Sequence, residues 1–317
     1  MSERPLCVLP TPIHRLRRLS ERVGADLWIK RDDLTGFGVS GNKIRKLQLL
    51  LRDAVQTGAD TIITCGGIQS NHCRATAVAC RTLGLQPVLL LRGEPQSVAT
   101  GNLLLDQILG AEIHFCTAEV YRNHRTETMD QLASRLRSQG RRPYVIPEGG
   151  SNGLGALAFQ QAAQECAQQL DGKVDATIVA VGSGGTLAGL AMGEGIGFVH
   201  GFAVCDDRNH FVGKVVEIAQ DAARHGGRPL PAVGENWDVC DTYRGPGYGI
   251  ATREVWAVIE TVARDEGIFL DPVYTGKAMH GLLSEIRNGQ LGGRIVFWHT
   301  GGAFGLFGRG DEWLANP

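Results

Sequence analysis

Five short stretches of the chain carry residues that could hold a small charged molecule and act on it. The run Val181-Gly182-Ser183-Gly184-Gly185-Thr186-Leu187-Ala188-Gly189 follows a β-branched apolar segment and leads into a helical one. Free backbone N–H groups at a helix start, with two hydroxyls beside them, suit a phosphate. No Lys-Ser/Thr pair follows the glycines, so this is not a P-loop. Leu187 stands where the third glycine of a dinucleotide fingerprint belongs, which weakens a reductase reading. In Ser40-Gly41-Asn42-Lys43 a lysine opens an amphipathic stretch. A helix N-terminus disfavours its positive charge and so favours the neutral amine that a Schiff base requires. Taken alone, such a lysine reads as a solvated surface residue.

The remaining stretches are similar in kind. Cys65-Gly66-Gly67-Ile68-Gln69-Ser70-Asn71-His72 brings two glycines and small polar side chains to a helix start, which suits a carboxylate. Ser70 also reads as an ordinary N-cap, and both roles are compatible. Cys65 and Cys73 lack a basic partner in the sequence and read as packing residues rather than nucleophiles. Asp271-Pro272-Val273-Tyr274-Thr275 and Arg244-Gly245-Pro246-Gly247-Tyr248 each present a tyrosine on a turn. Trp298-His299-Thr300-Gly301-Gly302 is a strand end feeding a glycine turn, with His299 read as structural. A phosphate cradle, a lysine and a carboxylate cradle together suggest pyridoxal phosphate holding an amino acid.

These loops need a scaffold that presents them on one side. Apolar runs at Thr61–Thr64, Val88–Leu91, Ile113–Phe115, Tyr144–Ile146, Ala176–Val181 and Ile295–Trp298 read as buried strands. Helical spacing covers Leu47–Val55, Ser70 to about Leu83, Gly101–Leu109, Met129–Leu136, Leu154–Leu170, Val212–Ala223, Glu254–Glu266 and Lys277–Ile286. Alternating β and α units predict an α/β fold, with parallel sheets flanked by helices on both faces. Ligands then bind beyond the carboxyl ends of the strands.

Composition limits the function classes. The chain has 317 residues, enough for about two domains. A net charge of −1 gives no electrostatic case for nucleic acid or an anionic membrane. No apolar run is long enough to span a bilayer, and Met1–Pro5 lacks the pattern of a signal peptide. The eight cysteines contain no C-x-x-C and read as reduced thiols of a cytoplasmic protein without a metal site. The 43 glycines are about twice the usual share, consistent with backbone approaching a ligand at several loops.

The ordered set of motifs is specific. Leu9-Pro10-Thr11-Pro12, Trp28-Ile29-Lys30-Arg31-Asp32-Asp33, Ser40-Gly41-Asn42-Lys43, Gln69-Ser70-Asn71-His72, the 182–186 loop and Asp271-Pro272-Val273-Tyr274 resemble one group of enzymes. It is the pyridoxal-phosphate family of D-cysteine desulfhydrase and 1-aminocyclopropane-1-carboxylate deaminase, within the tryptophan-synthase-β-like, type II fold group. The resemblance runs from about Pro10 to about Gly302. It implies two domains with twisted, parallel-rich sheets: a small one, 47–161, and a large cofactor-binding one combining 1–46 with 162–317. Leu27–Lys30 would belong to the large domain. It also implies a homodimer acting on a small amino acid.

By the same resemblance Lys43 is the Schiff-base lysine and Asn71 pairs with the cofactor's phenolic oxygen. Gly182, Ser183, Gly184, Gly185 and Thr186 match the phosphate loop, and Thr275 the position beside the pyridine nitrogen. Gln69, Ser70, Asn71, His72 and Thr300 match substrate-contacting positions. Lys43, Ser70, Tyr248 and Tyr274 are the catalytic candidates. Deaminases carry glutamate at the position of Thr275, leucine at Thr300 and glutamine at His72. All three differences point to the desulfhydrase branch, and residues 203–211 resemble its plant-type members. Glu148 has no assigned role. The implied reaction is α,β-elimination of D-cysteine. Alternatives are L-cysteate sulfo-lyase, elimination from another β-substituted alanine, cyclopropane opening, or a non-catalytic pyridoxal-phosphate-binding protein.

Overall fold

The computed structural model describes residues 5–315. The first four and last two residues assigned above to the large domain therefore lie outside the described residues. Ten strands form two separate sheets: β1 (Ile13–Arg15), β2 (Asp26–Arg31), β3 (Thr61–Gly67), β4 (Gln86–Arg92), β5 (Glu112–Cys116), β6 (Pro143–Val145), β7 (Ala176–Val181), β8 (Phe198–Ala203), β9 (Trp237–Cys240) and β10 (Arg294–His299). One sheet has the order β1-β2-β10-β7-β8-β9, and the other β5-β4-β3-β6. Every pairing is parallel except β1 with β2.

β7 shows why the larger sheet needs helices on both faces. All six of its residues are buried. Val179 and Val181 pack into one apolar cluster with Phe159, Leu187 and Trp237. Ile178 and Ala180 point the other way, into a cluster with Trp256, Met279 and Phe297. Period-two alternation with both faces apolar is the signature of a fully covered parallel sheet. The smaller sheet is covered likewise: Ile62 joins the cluster of helix Lys43–Gln56, and Ile63 packs against helix Arg125–Ser138.

Most elements legible in the sequence form where expected, often one turn longer. The helix read from Val212 starts at Arg208, because the Asp207 side chain caps it by accepting from His210 N. The helix read from Met129 starts at Arg125, after the short helix Ala118–Asn123. β8 and β9 carry no clear sequence signal. Phe-Val-His-Gly-Phe-Ala breaks alternation with a histidine and a glycine, and β9 has only four residues. Their pairing with β7 and with each other makes them strands.

A buried ionic network joins the N-terminal strands to the helix that begins at Lys43. The Arg45 guanidinium donates to both oxygens of Asp32 at 2.9 and 3.0 Å and to both oxygens of Glu165 at 2.8 and 2.9 Å. Thr11 Oγ1 and Trp298 Nε1 donate to the same Asp32 carboxylate, and Lys30 Nζ donates to Glu165 and Gln169. Burial alone would raise the Glu165 pKa, but hydrogen bonds and charge from Arg45 and Lys30 bring it down to about 2. Arg45→Ala would leave Asp32 buried without its counter-charge. The expected loss is about 3–5 kcal/mol of stability, read from urea midpoints. Stability tied to the depressed Glu165 pKa is present above the ordinary carboxylate range and is lost as pH falls from about 4.5 to about 2. Urea midpoints should therefore fall over that window in the native chain, with a flatter profile in Glu165→Gln.

Candidate active site

Lys43 is the first residue of helix Lys43–Gln56, and the turn before it is tightly held. Asn42 N donates to Thr300 O at 3.1 Å. Gly41 has φ +115°, and a Cβ there would sit 2.7 Å from that same carbonyl, so only glycine fits. The Asn42 side chain donates to Thr186 Oγ1 at 3.0 Å. Backbone at Thr300 and a side chain of the 182–186 loop thus fix the lysine turn from two directions.

The glycine loop after β7 lies beside the lysine. A methyl group on Gly149 would stand 2.5 Å from Ser183 Oγ and 3.4 Å from Lys43 Nζ. A Cβ on Gly185 would meet Ser151 Oγ at 2.6 Å and Lys46 Nζ at 2.8 Å. Lys46, one helical turn after Lys43, donates to Ser151 Oγ at 3.1 Å, and Ser151 and Ser183 hydroxyls lie 2.8 Å apart. A buried ammonium and two hydroxyls converge on backbone without side-chain bulk.

The loop after β3 closes another side. Ser70 caps helix Asn71–Leu83 by accepting from Cys73 N, and its hydroxyl also interacts with the Cys73 thiol. A Cβ on Gly66 would stand 2.3 Å from Ser70 Oγ, so this turn also requires glycine. Gln69 lines a cleft of about 290 Å³ together with Asn71, Arg92, Tyr248 and Tyr274. Its amide is committed at both ends, to Thr100 O and Asn102 N. His72 is only 3% exposed, and its Nε2 is bonded to Thr64 Oγ1 beneath the loop. Gln69 and His72, read from sequence as substrate contacts, thus have side chains engaged with protein.

Tyr248 and Tyr274 come together, their hydroxyls 2.7 Å apart and their rings edge-to-face. Tyr274 also packs where a Gly182 Cβ would be, at 2.9 Å. Thr275 is fully buried. Its hydroxyl donates to Asp271 Oδ1 at 2.7 Å and accepts from Asp271 N at 2.8 Å. His299 accepts from Gly301 N and pairs with Phe269 O, as a structural histidine should.

Burial governs the electrostatics. It lowers the Lys43 pKa to about 8, opposed by the Glu148 carboxylate. Desolvation, rather than the helix dipole expected from sequence, is the principal cause. Lys46 is held well below its ordinary value by burial and by Lys43. Burial pushes both tyrosines up and keeps the phenol pair neutral. Glu148, uninterpretable in sequence, accepts from Tyr121 Oη and Arg125 and is the carboxylate nearest in effect to Lys43. Lys46, Ser151 and Arg92 also escaped the sequence reading. An i, i+3 pairing of Lys43 with Lys46 on one helix face was the available signal.

Residues 5–301 match the family described as pyridoxal-phosphate dependent enzymes. The chain belongs to this family. It is similar to a Thermotoga maritima protein provisionally named 1-aminocyclopropane-1-carboxylate deaminase, 46% identical over 95% of this chain and 96% of that protein. It is 44% identical to a D-cysteine desulfhydrase of Klebsiella pneumoniae, over 94% of this chain and 93% of the relative. An Arabidopsis thaliana protein named for both activities is 42% identical, over 97% of this chain and 80% of its own. The crystal structure of an ACC deaminase homologue superposes with a TM-score of 0.90 at 42% identity, covering 99% and 95% of the two chains.

This pyridoxal-phosphate enzyme is therefore a lyase of the deaminase and desulfhydrase group, with a type II fold. Its site fits the cofactor. Lys46 Nζ and the Ser151 and Ser183 hydroxyls beside Gly185 are donors suited to a phosphate dianion, and Lys43 Nζ lies near Gly149, next to Ser183 of the same loop, where it could anchor an aldehyde. In the apoenzyme the rate of cofactor recombination should track the neutral fraction of Lys43, rising with pH and half-maximal near pH 8 rather than 10.5. Lys43→Ala should fold, lose the absorbance of lysine-bound cofactor and lose roughly 10²–10⁴-fold in turnover.

Proposed function

We propose that the enzyme converts D-cysteine and water to pyruvate, ammonia and hydrogen sulfide by α,β-elimination. The observation carrying this reading is Thr275, a neutral hydroxyl with its proton committed to Asp271. Family pattern sets this residue beside the cofactor's ring nitrogen. A carboxylate there would hold that nitrogen protonated, whereas a committed hydroxyl offers no comparable stabilisation. When bound, pyridoxal phosphate supplies an electron sink conjugated with the substrate's α-carbon. A weaker sink favours reactions in which a good leaving group, such as thiolate, departs promptly from Cβ. It disfavours opening an unactivated ring.

The chain's own residues take these roles. Gly182 to Thr186, with Lys46, hold the phosphate. Asn71 donates to the phenolic oxygen, and the helix start at Gln69–His72 receives the substrate carboxylate, with His72 backing the loop. Lys43, with its pKa lowered to about 8, takes the α-proton near neutral pH. Tyr248 and Tyr274, paired through their hydroxyls, and Ser70 are the candidates to pass a proton to the departing sulfur. Thr300 borders the substrate beside the Lys43 turn.

In this reading residues 47–161 are the small domain and 1–46 with 162–317 the large one, a division supported by β3 to β6 forming one sheet and the other six strands the second. Eight unpaired cysteines support assignment to the cytoplasm, and family resemblance supports a homodimer. Among the described residues no helix is long and apolar enough to cross a membrane.

The second reading, ring opening of 1-aminocyclopropane-1-carboxylate, is favoured by the names of several relatives. Steady-state release of pyruvate from D- and L-cysteine and from D- and L-cysteate, against 2-oxobutanoate from the cyclopropane, decides between them. We expect D-cysteine to dominate kcat/KM by at least about tenfold, the effect of roughly 1.4 kcal/mol in the barrier. Dominant ring opening would overturn the argument from Thr275; dominant cysteate or L-cysteine turnover would overturn the substrate alone.

A further inference from the structure

We infer that Asn102 is a positioning residue for the cofactor, fixing the Asn71 amide so that its NH₂ group faces the site. The inference rests on the proposed pairing of Asn71 with the phenolic oxygen. Asn102 lies in the first turn of helix Gly101–Ile108 and is fully buried. Its Oδ1 accepts from Arg74 Nε at 3.1 Å. A guanidinium has donors only, so the amide oxygen must face Arg74. Its Nδ2 lies 3.0 Å from Gln69 O, a carbonyl that can only accept. Two independent partners therefore hold the Asn102 amide in one orientation.

The second hydrogen of Nδ2 points at Asn71 Oδ1, 3.1 Å away. Asn71 must then present its oxygen to Asn102 and turn its own Nδ2 elsewhere. Asn71 lines the cleft with Tyr248 and Tyr274, and among the described residues its Nδ2 has no protein acceptor. Arg74 joins this chain to the lysine turn. Its two terminal nitrogens donate to Gly38 O at 2.7 Å and Ser40 O at 2.9 Å. One buried guanidinium thus references the Lys43 turn and, through Asn102, the Asn71 amide.

A donor aimed at a phenolate stabilises it and lowers its affinity for the proton shared with the lysine nitrogen. An Asn71 amide that is free to rotate, or turned oxygen-first, removes that effect. Charged and titratable groups around the pair are Arg74 and Asp106 behind it and Arg92, Tyr248, Asp271, Tyr274, Arg309 and Glu312 along the cleft that Asn71 lines, with Glu148 acting on Lys43 itself. None of them is altered in the variants below.

The test uses holoenzyme and the pH titration of the visible band of lysine-bound cofactor. Asn102→Asp keeps the side chain's shape and an acceptor for Arg74 but cannot donate to Asn71. Asn102→Ala serves as the second variant should buried charge beside Asp106 prevent folding. Each should raise the titration midpoint by about one pH unit, a tenfold change in proton affinity. Asn71→Ala should give a shift of the same sign, and adding Asn102→Ala to it should produce no further change. No shift in Asn71→Ala would overturn the pairing of Asn71 with the phenolic oxygen. A shift in Asn71→Ala with none in the Asn102 variants would overturn the inference and leave that pairing standing. An undiminished Asn102→Ala shift in the Asn71→Ala background would likewise overturn it.

Discussion

The constraint on which the rest depends is the buried Arg45 guanidinium held between Asp32 and Glu165. Lys43 stands two residues away on the same helix, so its position is inherited from this clamp. The network draws on β1's approach through Thr11, on β2 through Lys30, on β10 through Trp298 and on helix Gly153–Gln169 through Glu165 and Gln169. Such pairs are weak contributors to net stability when compared with apolar packing, because desolvation is costly. They are strong determinants of geometry, because every lone pair and proton has one satisfactory arrangement.

A second constraint is the removal of side-chain bulk around the lysine. Gly41, Gly149, Gly182 and Gly185 each lie where a Cβ would collide with a functional group or with the backbone that holds one. Bringing backbone this close also desolvates the two lysines, which lowers both pKa values, and the charge of Lys43 lowers that of Lys46 further. Close approach and a larger fraction of neutral amine near neutral pH are therefore two outcomes of one packing arrangement. A phosphate dianion beside Lys46 would supply the counter-charge the protein itself omits.

At the polar end of helix Thr275–Arg287 one side chain serves the local fold and, in the proposed function, the reactivity of the cofactor. Asp271 accepts from the backbone N–H groups of Val273, Tyr274 and Thr275 and from the Thr275 hydroxyl, occupying the helix start completely. Thr275 is part of that cap as much as part of the site. A carboxylate at the same position would face Asp271 at close range and repel it. In the proposed function, local helix capping and the electronic demand on the cofactor are thus coupled through one residue.

Much of the fold and of the site was legible in sequence. The strand at Ala176–Val181 has the predicted bounds and the helix ending at Leu83 follows the Ser70 cap, because period and capping are local properties of consecutive residues. The lysine, the glycine loop and the tyrosines of the candidate site were visible as residue types in order along the chain. What sequence could not supply was partnership between distant residues. The orientation of Asn71 depends on Asn102, 31 positions away, and that of Asn102 on Arg74. The commitment of His72 to Thr64, the effect of Glu148 on Lys43 and the cradle formed by Lys46, Ser151 and Ser183 are equally non-local. Hydrogen-bond orientation and desolvation are set by which atoms surround a group in space. Only the packed tertiary structure decides that.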